Sequence, residues 1–85
     1  MRIEVINGHR AVCGHIFPKD ELKIGTKWIS ADGSNRIVEI RDLVRYGIGT
    51  QFEDISVYYG EHATDQTYEK DSFAFQCRYC LIVES

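Results

Sequence analysis

The residues with the most chemical potential lie near opposite ends of the chain. Cys77-Arg78-Tyr79-Cys80 is a C-x-x-C, and Cys13-Gly14-His15 places a third thiol two residues from an imidazole. Tetrahedral zinc takes four such soft or borderline ligands, and two pairs from distant segments would staple a small domain shut. A zinc-stapled structural or interaction domain using Cys13, His15, Cys77 and Cys80 is therefore one reading. Against it, Cys80 runs straight into Leu81-Ile82-Val83, a strand pattern on which residues 77 and 80 face opposite sides unless the chain bends between them. Free cysteine is also among the most buried residue types and often simply fills a core. The leading expectation is accordingly no cofactor, with zinc as the competing one. A redox role lacks the βαβ setting in which C-x-x-C usually works.

Catalysis finds little support. Cys13 and His15, at i and i+2, share one face of a strand and would suit a nucleophile and its base. No motif supplies an oxyanion hole or an orienting third group, and no G-x-S-x-G, H-E-x-x-H or P-loop occurs. Glu53, Asp54, Glu61 and Asp65 offer carboxylates, but acidic residues in polar loops mostly solvate. The expectation is a protein that is not an enzyme.

Binding has a better basis. Trp28, Tyr46, Phe52, Tyr58, Tyr59, Tyr68, Phe73, Phe75 and Tyr79 exceed what so small a core needs, and Tyr46, Tyr58 and Tyr68 are the candidates for exposure. Arg45 joins them, together with Glu53, Asp54, Glu61 and Asp65, as the candidate partner-binding set. Arg36, Arg41 and Arg45 beside aromatic rings support a further alternative, a binder that sequesters a nucleotide-like anion by stacking and neutralisation.

Charge narrows the partner. The net charge is −3. Residues 1–50 hold eight Lys/Arg against six Asp/Glu, whereas residues 51–85 hold two against seven. That balance argues against duplex nucleic acid, which demands a basic footprint. The acidic segment 53–71 points instead to a protein partner with a basic surface. With 44% hydrophobic and 27% charged residues in 85, the composition is that of one small globular domain. No apolar run approaches a membrane span, and the alternating N-terminus makes no signal-peptide core, so the expected location is cytoplasmic. The three cysteines, an odd count without an export signal, argue against a disulfide framework. On oligomeric state the composition is nearly silent, and a homo-oligomer stays open.

These residues must be positioned by strands. Asn7-Gly8 separates two alternating runs and readily takes the positive φ values of a type I′ turn, which predicts a hairpin over 2–17 with Ile6 opposite His9 and Ile3 opposite Val12. Ile3, Val5 and Val12 then share one face, and Glu4, Ile6, His9, Ala11 and Cys13 the other. Phe17-Pro18 breaks the pattern, and Leu22 to Gly25 resumes it. A second hairpin follows, Thr26–Ser30 and Arg36–Val44 around Asp32-Gly33-Ser34-Asn35, with Val38, Ile40 and Val44 on one face and Ile37, Glu39, Arg41 and Leu43 on the other. Asp54–Gly60 is a third strong strand. Glu61–Asp71 reads as a polar loop or loose hairpin tip. Ser72 is a fair N-cap for a helical turn near 72–77, and Arg78–Val83 closes the chain as a strand. Short strands with turns every 8–12 residues predict a mostly β fold, a small antiparallel barrel or sandwich.

The order of these features, Gly-Thr-Lys-Trp, a long hairpin, Val57-Tyr58-Tyr59, a polar excursion, Ser72-Phe73-Ala74-Phe75 and a last apolar strand, resembles small SH3-like β-barrel proteins of tailed bacteriophages. The resemblance covers roughly residues 22–84 of the single domain 1–85. It implies an SH3-like barrel with the 2–17 hairpin added, an aromatic groove between loops as ligand surface, and no catalytic residue. It also implies a viral accessory protein acting in the bacterial host cytoplasm, a non-catalytic binding module that modulates or inhibits a host protein.

Overall fold

In a computed structural model, residues 1–83 are described; the stated end of the barrel segment, residue 84, lies outside them. The strands are β1 (Arg2–Ile6), β2 (His9–Cys13), β3 (Lys27–Ser30), β4 (Ile37–Tyr46), β5 (Asp54–Gly60), β6 (Tyr68–Asp71) and β7 (Tyr79–Ile82), with one helix, α1 (Ser72–Arg78), before β7. All seven strands form one antiparallel sheet in the order β1-β2-β7-β3-β4-β5-β6. The fold is mostly β, as expected, but the ladder does not close into a barrel: β1 and β6 are its edges. Nor is the N-terminal hairpin a separate addition, because β7 pairs with β2 on one side and β3 on the other.

The first hairpin follows its predicted register, Ile6 opposite His9 and Ile3 opposite Val12. Asn7 and Gly8 have φ of 50° and 83°, the positive values a two-residue turn needs to match strand twist. Leu22 does not begin a strand; it ends a single 3₁₀ turn, Lys19–Glu21, that Pro18 initiates.

The core lies mainly on one face. Trp28, Val38, Ile40, Val57, Tyr59 and Tyr79 pack with Phe75 of α1. Ala11, Cys13, Ile29 and Cys80 form a smaller cluster of their own, and their register places them on the opposite face. Cys13 and Cys80 are joined by a disulfide with Cα atoms 5.0 Å apart, so the parity argument against a bridge fails and leaves Cys77 as the free thiol.

Two local readings are corrected. Strand β4 slips register between Ile40 and Asp42, a β-bulge at Arg41. The extra residue reverses the alternation, so Leu43 joins the core side and Val44 goes outward, the opposite of strict period two. The bulge also aims the Arg41 guanidinium at the 61–67 connection, where it donates to the carbonyls of Glu61, Thr64 and Gln66 and to the Thr67 hydroxyl. A side chain at Gly60 would collide with the Gln66 carbonyl and with that guanidinium, so the glycine permits this close crossing. The second correction is at α1, where Asp71, not Ser72, caps the helix by accepting from the Ala74 amide at 2.8 Å. Ser72 instead donates to the Asp54 carboxylate at 2.7 Å.

The β3–β4 turn is organised by Asp32, which accepts from the Ser30 hydroxyl and the Ser34 amide. These donors, Ser30 first, hold its carboxyl at about 2, below the 3.8 of a free aspartate. The unfolded chain therefore binds the extra proton first, and the turn's contribution, present above about 3.8, is lost as pH falls through about 2. In Asp32→Asn, the drop in melting temperature between neutral pH and this window should shrink; an unchanged drop would remove Asp32 from the acid response.

Candidate functional site

Register sorts the candidate binding residues onto faces. Asp42, Val44 and Tyr46 of β4 stand opposite Tyr58, Ser56 and Asp54 of β5, and Tyr58 and Ser56 stand opposite Glu69 and Asp71 of β6. Directly opposed residues point to the same side of a sheet, so this part of the sheet carries Val44, Tyr46 and Tyr58 among Asp42, Asp54, Glu69 and Asp71. None of the paired residues of β4, β5 and β6 on that face is Lys or Arg; the Arg41 guanidinium, at the bulge, lies on the same side beside Gly60, where the 61–67 connection holds it. Helix α1 covers the other side, where Phe75 meets Tyr59. Val44 and Tyr46 are exposed and Tyr58 is half-buried. Partial desolvation, then the charges of Asp54, Asp71 and Glu69, push the Tyr46 phenol above its ordinary value, which places the hydroxyl within the field of those carboxylates. Asp54 is opposed by its own desolvation, yet the Ser72 hydroxyl, the Ile55 amide and Lys19 keep it below the usual range and hence ionised.

The bulge creates this face. Without the extra residue at Arg41, Val44 and Tyr46 would share the side of Ile40 and be drawn under the helix. The β4–β5 loop extends the apolar surface beyond Tyr46, because Ile48 and Phe52 are strongly exposed.

The structure divides the predicted set. Tyr46 and Tyr58 come together; Tyr68 is exposed as expected but lies opposite Tyr59 on the other side of the sheet, with the Arg36 guanidinium 5.8 Å above its ring. Arg45 pairs with Glu53 at 3.7 Å. Glu61 accepts from Arg36 at 2.6 Å, and Asp65 is exposed in the 61–67 connection. Asp42 was missed, and Glu69 and Asp71 were covered only as part of the acidic segment 53–71. Asp42 lies outside the acidic segment, and only the bulge turns it to Tyr58. Glu69 and Asp71 sit in a stretch read as a polar loop or loose hairpin tip, whose end, Tyr68–Asp71, is an edge strand paired with β5. Alternation of Glu69 and Asp71 around Lys70 was the available signal.

The arginines of the nucleotide alternative are engaged within the protein: Arg36 with Glu61, Arg41 with the 61–67 backbone and Arg45 with Glu53. The four zinc candidates do converge, since Cys13, His15, Cys77 and Cys80 line one cleft of about 450 Å³. There Cys13 and Cys80 are bonded to each other and offer no thiolate, the form that binds a metal. The His15 ring packs edge-on against Phe17 at 4.5 Å. Among the described residues, no group of three or more His, Cys, Asp or Glu is placed to hold a metal ion. Nor, among those residues, is any helix long and apolar enough to cross a membrane.

Fold and face together define a class: a small, mostly β domain on one open antiparallel sheet, with an acidic, tyrosine-bearing surface on its β4–β5–β6 side. No family model, curated protein or solved structure matches this chain.

Proposed function

We propose that the protein is a non-catalytic binding module that takes a protein segment rich in lysine and arginine on the open face of β4–β5–β6. The observation that carries this reading is the placing of Val44, Tyr46 and Tyr58 among Asp42, Asp54, Glu69 and Asp71, with no cation among the paired residues of that face and the Arg41 guanidinium at the bulge taken up by the 61–67 connection. Tyrosine anchors bury area at low entropic cost and attract cations to their ring faces. The surrounding carboxylates steer a basic partner and reject an acidic one. Exposed Ile48 and Phe52 add apolar contact at the loop end. The SH3-like reading of residues 22–84 is supported by the return of β7 to pair with β3 after the short helix. With the resemblance to phage proteins, it makes the partner a host bacterial protein that the module modulates or inhibits.

Titration of isotope-labelled protein with a short Lys/Arg-rich peptide should shift amide resonances over 42–46, 54–58 and 69–71. Tyr46→Ala should weaken the peptide about ten-fold or more, as loss of an interface anchor does, and added salt should weaken it further. Shifts confined to other surfaces, or equal binding of an acidic peptide of the same length, would refute the assignment.

A further inference from the structure

Strand β1 is an edge with little of the protection such edges normally carry. It contains no Lys or Pro, its two charges, Arg2 and Glu4, pair with each other, and Ile3 and Val5 are 54% and 71% exposed. The other edge, β6, presents Tyr-Glu-Lys-Asp, three charges in four residues. The tight turn at Asn7-Gly8 makes Ile6 and His9 a hydrogen-bonded pair, so alternate residues of β1 bond to β2 and the others do not. The phase is visible at Arg10, opposite Val5, whose carbonyl turns away from β1 to accept from the Val83 amide at 2.9 Å. By the same alternation, the backbone groups of Ile3 and Val5 point off the sheet edge. Their side chains share the face of Val12, and Arg2 and Glu4 share the opposite face, where they pair at 2.8 Å.

We infer that β1 pairs antiparallel with β1 of a second copy of this chain, about a two-fold axis at Ile3. Charge selects that register. An axis at Ile3 sets Ile3 against its own copy as a hydrogen-bonded pair and Arg2 against Glu4 of the partner subunit, twice by symmetry. An axis at Glu4 would set like carboxylates directly opposite each other, which is destabilising. The pairing joins two seven-stranded sheets into one, covers the exposed Ile3 side chains and removes both open β1 edges. It does not involve the β4–β5–β6 face.

Sedimentation equilibrium of the full chain should show a concentration-dependent dimer. Arg2→Glu and Glu4→Arg each place like charges across the axis, and each should weaken self-association about ten-fold or more. Mixed in equal amounts, the two variants should pair with each other as wild type does, because every cross-strand contact is again of opposite sign. Ile3→Pro removes an outward amide without touching the β2 ladder, so it should give a monomer with an unchanged circular dichroism spectrum. A wild type that stays monomeric at high concentration, single reversals that remain dimeric, or variants that do not pair on mixing would each overturn the inference.

Discussion

Truncating Phe75 to alanine is expected to remove about 3–5 kcal/mol of stability, enough to leave much of a small domain unfolded at 37 °C. Phe75 is 0% exposed and its ring lies 5.1 Å from Trp28, 4.9 Å from Tyr59 and 5.0 Å from Tyr79. Substitution therefore opens a cavity where three large rings meet and cannot close it without moving the sheet. Aromatic pairs of this kind add about 0.5–1.5 kcal/mol each beyond the area they bury. The helix has seven residues, too few to persist in water by itself, so its packing is what holds it. Urea unfolding followed by fluorescence of the single tryptophan, Trp28, would measure the loss. Phe73→Ala is the control: two residues away but 61% exposed, it should cost within about 0.5 kcal/mol. Equal effects at the two positions would contradict the placing of α1.

Opening the Cys13–Cys80 bridge should cost about 4 kcal/mol on the chain-entropy account, because it closes a long loop with a sequence separation of 67. The bridge ties β2 to β7, which among the described residues pair at Ala11 opposite Ile82 and Val12 opposite Leu81, with the Val83 amide donating to the Arg10 carbonyl. The bridge, buried beside Ala11 and Ile29, adds a covalent tie to that ladder. Cys13→Ser with Cys80→Ser should lower the denaturation midpoint strongly, with hydrogen exchange rising first in β1 and β2. Reducing agent should do the same to wild type and nothing to the double variant. Cys77→Ser belongs in each background, to keep the free thiol from exchanging into the bridge. A midpoint that reduction does not move would show that the ladder alone holds the hairpin. Disulfides persist in oxidising surroundings and are reduced in the cytosol, so the bridge makes the hold on this hairpin depend on redox conditions.

Elements whose information is local were legible. Asn7-Gly8 specified its turn and, through it, the pairing of Ile3 with Val12, because two residues with positive φ leave the flanking strands one register. Trp28, Val38 and Ile40 announced a core by size and spacing, and they form it together with Phe75, which only the placing of α1 singled out. The bulge at Arg41 was not legible. Nothing in Glu39-Ile40-Arg41-Asp42-Leu43 breaks period two; the slip is set by how β4 meets β5. Strand β6 was also missed, since an edge strand bonded on one side tolerates a polar sequence like Tyr68–Asp71.

The sequence by itself determined a mostly β domain with its first hairpin in register, its main core residues and an acidic second half, because turn chemistry, alternation and charge act over a few residues. Tertiary structure alone decided that β7 enters between β2 and β3, which brings Cys13 to Cys80. It also decided that one extra residue in β4 turns Val44 and Tyr46 away from the helix to stand among Asp42, Glu69 and Asp71. Those outcomes depend on which strands pair and in what register, and that choice is made by burying the whole set of apolar faces at once.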